Sequence, residues 1–263
     1  MAYKDLREFL VKLEEEGQLV RVKEEVAPEP NIGAAGRASA NLKNGPAIMF
    51  ENVCGYRNPV VTNVHGSWAN HALMMGMDKN TPIKEQFAEM ARRWDKYPVP
   101  AKHVPTAPVL KNIITEDINI FDVVSAYRIN TYDAGFYLSK ASIVSRDPED
   151  PTSWGKQNLG TYRIQIKGKD KLGIQPLPFH DIGLQLSKAE ALNKPLPVAI
   201  TLGNDPMTTF MASTPIKYDQ SEYDFVGALY DGVPMEVTKS PLYGMDIPAG
   251  CEICIEGEIQ PRY

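Results

Sequence analysis

The stretch YPVPAKHVPTAPVL, residues 97 to 110, places Pro98, Pro100, Pro105 and Pro108 in one short window. Each proline lacks a backbone N–H and holds φ near about −65°, so neither a helix nor a central strand can run through them. The chain is therefore expected to divide here, into a domain over residues 1–96, a linker over 97–111 and a second domain over 112–263. His103 lies inside the linker with no carboxylate or cysteine at ligand spacing, and reads as an exposed linker histidine.

The two sides are patterned differently. Before the prolines, Leu6, Phe9, Leu10 and Leu13 recur at helical spacing within residues 3–16, and Gly17 follows as a stop. QLVRVKEEV reads as a strand, NIGAAGRASANL as a helix, and GPAIMFENV and NPVVTNV as two short strands. TPIKEQFAEMARRWDKY reads as a helix with Thr81 as N-cap and Pro82 at its first position. That alternation predicts a small α/β domain. After the prolines come short strands, ASIVSRD, TYRIQIKG, KLGIQPL, LPVAITLG, PMEVTKS and CEICIEGEI, with one helix around IGLQLSKAEALN. Between them DPEDP, KGKD and GND supply turn chemistry, and GNDPM is read as a turn. The class expected is α+β, with an antiparallel barrel or sandwich in the second domain. A barrel whose last visible strand is followed only by QPRY raises the expectation of further chain beyond it.

Lys plus Arg number 28 and Asp plus Glu 33, a net charge of −5, which argues against a surface built to neutralise nucleic-acid phosphates. No apolar run is long enough for a membrane span, and MAYKDLREFL is charged too early for a signal core, so a cytoplasmic protein with no membrane partner is expected. Cys251 and Cys254 form a C-x-x-C in an alternating segment whose Ile253, Ile255 and Ile259 share a face. Positions three apart on a strand point to opposite faces, so reduced thiols are a plainer reading than a zinc or redox site. Met74, Met75 and Met77 in HGSWANHALMMGM read as core packing.

Three stretches hold chemistry. Asn158, His180 and Glu222 would supply an amide oxygen, an imidazole and a carboxylate, a mixed donor set suited to manganese or magnesium. Spacing alone leaves open the plainer reading of a turn asparagine and a hydrogen-bonded histidine. In TYRIQIKG, Tyr162, Ile164 and Ile166 fall on one face and Thr161, Arg163, Gln165 and Lys167 on the other. Arg163 then either lines a barrel mouth, where its fork would grip a carboxylate or phosphate, or meets solvent. In MASTPIKYDQSEY, the small residues Ala212, Ser213 and Thr214 would let backbone approach a ligand, and Glu222 would open a helix capped by Ser221.

Together YKDLREFLVKLEEEGQLVRV, GPAIMFENVCGY, KQNLGTYRIQIKGKDKLGIQPLPFHDIG, ASTPIKYDQSEY, VPMEVTK and IPAGCEICIEGEI resemble the UbiD family of prenylated-flavin-dependent decarboxylases. The resemblance runs over the whole chain and looks closest to the large C subunit of the phenolic acid (4-hydroxybenzoate and vanillate) decarboxylases. It implies an antiparallel split β-barrel binding prenylated FMN, with Asn158, His180 and Glu222 holding Mn2+ against the flavin phosphate. Cofactor contacts are implied for Leu159, Gly160, Thr161, Tyr162, Arg163, His180, Asp181, Ser213 and Pro215. K+ is implied beside the carbonyls of Met211 to Thr214, and Arg163 as the catalytic residue that orients the substrate carboxylate or the acid partner. The reaction implied is reversible, non-oxidative decarboxylation of a small aromatic carboxylic acid. The implied partners are a flavin prenyltransferase (B subunit) supplying the cofactor, a small D subunit, and further copies in a full-length homo-oligomer. Family members are longer, and the acidic proton donor and a carboxy-terminal domain are expected beyond Tyr263, so the isolated chain is expected to be inactive. The alternatives are a non-catalytic flavin- or phosphate-binding subunit and a simple split-barrel redox flavoprotein.

Overall fold

In the computed structural model, which describes residues 2–261, the apolar spacing at the amino terminus forms helix α1 (Leu6–Glu15). Asp5 caps it by accepting from Glu8 N at 2.8 Å, and Phe9, Leu10 and Leu13 form its buried face. Strand β1 (Leu19–Val26), helix α2 (Asn31–Ala40), and strands β2 (Ala47–Val53) and β3 (Val60–Thr62) follow. β1 pairs parallel with β2, and β3 antiparallel to it. The segment read only as methionine packing is helix α3 (Trp68–Met74), capped by Ser67, with Met74 and Met75 fully in the core.

Helix α4 (Ile83–Trp94) has Pro82, not Thr81, at its cap. Pro82 has ψ 142, which is extended, so the helix cannot start at it, and the Thr81 hydroxyl donates to Asp78 O at 2.6 Å instead. Within the proline-rich stretch, β4 (Lys102–His103) pairs with a strand from far along the chain, and Val99 N donates to Asp224 O at 3.3 Å. The stretch is thus sewn to the rest of the molecule. His103 is half-exposed, as expected, but it has a carboxylate partner distant in sequence: its Nε2 lies 2.8 Å from Asp246.

The remainder runs α5 (Ile120–Val123), β5 (Tyr137–Leu138), β6 (Ser142–Arg146), β7 (Gln157–Gly160), β8 (Ile164–Gly168), β9 (Lys171–Ile174), α6 (Asp181–Ala191) and β10 (Leu196–Leu202). It ends with α7 (Pro206–Met211), α8 (Glu222–Leu229), β11 (Glu236–Lys239), β12 (Asp246–Pro248) and β13 (Ile253–Ile259). The α+β class holds. Among the described residues, however, the strands form four separate sheets, ordered β1-β2-β3, β13-β10-β6-β7, β12-β11-β4 and β5-β8-β9, and none closes into a barrel.

GNDPM is more than a turn. Asp205 accepts from Met207 N and Thr208 N, both at 3.1 Å, and so caps α7 with Pro206 at its first position. The largest core draws from both sides of the prolines: Phe9, Leu13, Leu73 and Met74 pack with Met207, Tyr223, Phe225 and Leu229. A second core lies between β6, β8, β10 and α6, with Ile143, Ile164, Ile182, Leu186 and Ile200. Cys251 and Cys254 are free, and burial pushes both thiols up, Cys254 to about 12, so they stay protonated. Among the described residues, no helix is long and apolar enough to cross a membrane.

Candidate metal and cofactor site

β6 and β7 pair antiparallel in a register that sets Ser145 opposite Asn158. Asn158 is only 5% exposed, and its Nδ2 donates to Ser145 Oγ at 3.1 Å. That bond orients the amide, leaving Oδ1 to accept from the Tyr162 hydroxyl at 3.0 Å. The Tyr162 ring also lies 5.3 Å from that of His180. It covers Gly160 so closely that a Cβ there would collide with the phenol, which is why the end of β7 needs glycine.

Glu222 opens α8, as expected, and its Oε2 accepts from Leu159 N at 3.1 Å. Ser221 stands at the N-cap, but its hydroxyl makes no capping bond and is buried without a partner. Glu222 is 5% exposed, and among the described residues no cationic side chain pairs with it. Burial pushes its carboxyl up to about 8, backbone N–H groups pull against this, and nearby Asp181 adds to it. Asp181 and Tyr162 are raised for the same first reason, burial. A buried carboxyl with no cationic partner among the described residues, and with Asp181 nearby, is the environment a cation would relieve.

His180 precedes α6, and its Nδ1 accepts from Leu177 N at 3.4 Å, a long contact that holds the ring weakly. The three expected metal donors thus share one neighbourhood, linked through Leu159 and Tyr162. Among the described residues, no group of three or more His, Cys, Asp or Glu could hold a metal. This set differs in using an amide oxygen as its third donor. The buried, uncompensated Glu222 and the oriented Asn158 amide fit a hard divalent cation by donor chemistry.

The loop that follows is tied to the α7–α8 connection. Thr161 N donates to Ala212 O at 2.7 Å, and Ser213 Oγ donates to Thr161 Oγ1 at 3.1 Å. For this reason β8 begins at Ile164, and Tyr162 and Arg163 lie outside the strand that TYRIQIKG predicted. The alternation survives: Ile164 and Ile166 are buried, and Arg163 and Lys167 exposed. Arg163 packs over the Tyr137 ring, 4.8 Å from its centroid, a partner that sequence reading missed because β5 is only two residues long. Met211 O and Ala212 O each accept a backbone hydrogen bond and keep a second lone pair. Pro215 is exposed, with no polar contact to the cluster. Ser145, which orients Asn158, was also missed, since strand register is not legible in the sequence.

Residues 10–90 match the 3-octaprenyl-4-hydroxybenzoate carboxy-lyase N-terminal domain, and residues 102–263 the Rift-related domain of the same family. The chain is 62% identical to a phenolic acid decarboxylase of Sedimentibacter hydroxybenzoicus over 99% of its own length and 55% of that protein's. It is 55% identical to one from Bacillus subtilis, covering 98% of the chain and 55% of the relative. The vanillic acid decarboxylase of S. hydroxybenzoicus in its closed form superposes with a TM-score of 0.98 at 62% identity, over 100% of this chain and 56% of that one. The UbiD-class enzyme HmfF from Pelotomaculum thermopropionicum, solved with prFMN, gives 0.88 at 32% identity, over 98% and 58%. The chain spans about half the length of the curated relatives it matches. From its two matched domains, the chain belongs to the UbiD family of carboxy-lyases.

Proposed function

We propose that this chain carries the metal- and flavin-phosphate-binding part of an enzyme that removes CO2, reversibly and without oxidation, from a hydroxylated aromatic acid of the 4-hydroxybenzoate or vanillate type. The observation that carries it is the buried Glu222 carboxyl beside the oriented Asn158 amide and His180. Relatives of the same family are named for this chemistry.

Asn158 Oδ1, a His180 ring nitrogen and the Glu222 carboxylate would hold a divalent ion, Mn2+ in this reading, next to a flavin phosphate. The carbonyls of Met211 to Thr214 would hold K+. Direct loss of CO2 from an aromatic ring leaves a high-energy aryl anion, and prenylated FMN, when bound, supplies an electron sink for that pair. The stretch from Leu159 to Arg163, with Asp181, Ser213 and Pro215, would line the cofactor. Arg163, with five N–H donors in a planar fork, would orient the substrate carboxylate, held in place by the Tyr137 ring. The strands flanking this cluster would belong to a split barrel. A small D subunit, a flavin prenyltransferase as cofactor supplier, homo-oligomeric assembly and a cytoplasmic location complete the proposal.

Native mass spectrometry of the chain, co-produced with a flavin prenyltransferase and purified without air, tests it. The expected result is a mass increment for prenylated FMN plus a divalent ion, with the ion lost in His180→Ala and Asn158→Ala. Unchanged metal retention in both variants would sink the site assignment.

A further inference from the structure

Neighbouring residues on a strand face opposite sides of its sheet. Asn158 of β7 meets Ser145, while Gln157 before it meets Arg146 of β6 on the other face. That second face holds a cavity of about 240 Å3, lined by Arg146, Thr152, Ser153, Gln157, Lys239 and Asp246 among others.

Its chemistry is rich in unused donors. Gln157 is 2% exposed, and its Oε1 accepts from Arg146 Nε at 3.0 Å and from Asp246 N at 3.3 Å. Two donors on that oxygen fix the amide orientation, because a flip would set N–H against N–H. Nε2 is therefore a true spare donor, and it is buried with no partner, an arrangement that ordinarily costs stability. Among the described residues, Asp246 is the only acidic one lining the cavity, and it is shared by three basic side chains. Arg146 Nη2 reaches it at 3.0 Å, Lys239 Nζ at 2.7 Å and His103 Nε2 at 2.8 Å. Arg146 Nη2 also donates to Gly244 O at 2.8 Å, while Nη1 has no acceptor among the described residues. Among the described residues, the Thr152 and Ser153 side chains likewise have no hydrogen-bond partner. One carboxylate does not use up this set of donors or balance its positive charge.

We propose that this cavity is an anion site, separate from the Asn158 cluster, that takes a small ligand bearing a carboxylate or phosphate group. Arg146 Nη1 and Lys239 Nζ supply charge-assisted hydrogen bonds, and Gln157 Nε2 gains the acceptor it lacks.

Isothermal titration of the full chain with inorganic phosphate, at constant ionic strength balanced by chloride, tests this. One saturable site is expected. Gln157→Glu keeps an oxygen for Arg146 and Asp246 N but turns the spare donor into a repelling acceptor, and should weaken binding at least tenfold. Lys239→Gln, on a side chain 57% exposed and so safe for folding, should also weaken it at least tenfold. Asn158→Ala should leave it unchanged. Competition by acetate would assign a carboxylate ligand, and its absence an oxyanion of phosphate type. No saturable phosphate binding over chloride, binding that survives in Lys239→Gln, or binding lost in Asn158→Ala would each overturn the proposal. The outcome is independent of metal retention by His180→Ala.

Discussion

Replacing Glu222 by glutamine isolates the electrostatics of the candidate site. The folded chain holds this carboxyl at about 8 against an ordinary value of 4.5. The folded state therefore binds the proton more tightly than the unfolded state, and the associated stability is complete below about pH 4.5 and lost as pH rises through 8. At 1.36 kcal/mol per pH unit, the chain without added metal should lose about 4 kcal/mol between pH 5 and pH 9 from this group alone. Glutamine cannot ionise, yet keeps an oxygen to accept from Leu159 N. The assay is urea unfolding of both proteins at several pH values, with and without MnCl2, reading the difference between them so that other titrating groups cancel. The wild-type chain should fall relative to Glu222→Gln as pH rises, and Mn2+ at pH 9 should restore the wild type only. Parallel pH profiles, or equal stabilisation of both proteins by Mn2+, would refute the reasoning that Glu222 is a buried charge awaiting a cation.

Two further outcomes rest on other contacts. Gly160→Ala drives a methyl group into the Tyr162 phenol, so it should cost about 1–3 kcal/mol in a denaturation midpoint and break the Tyr162–Asn158 hydrogen bond. Burial lowers His65 to about 4, and its Nε2 lies 2.9 Å from Pro206 O. Its stabilising contribution is thus complete above about pH 6.5 and falls as pH drops toward 4, by about 3 kcal/mol at most. His65→Gln should flatten that acid limb in a chemical denaturation series, and an unchanged limb would assign it to other groups.

Much of the local structure was legible because its causes are local. The spacing of Leu6, Phe9, Leu10 and Leu13 built α1, and the alternation around Ile164 and Ile166 built β8. Where short-range signals competed, reading failed by a residue or an element. Pro82 displaced Thr81 as a cap, and the Asp205-Pro206 pair opened a helix inside what looked like a turn. The expected barrel did not close among the described residues, because strand patterning states which face is apolar but not which strands meet.

The amino-acid sequence by itself determined most of the element types, the α+β class and, through the combination of its motifs, the family. The candidate donors were named from the sequence, but only tertiary structure decided what surrounds them. It brought Leu159 N to a carboxylate 63 residues away, set Ser145 beside Asn158, and turned Gln157 to the opposite face. The physical reason is that periodicity and capping arise from nearest neighbours along the chain. Register and burial, by contrast, depend on which distant segments exclude water from one another, and the same burial raises Glu222 and leaves Gln157 with an unused donor.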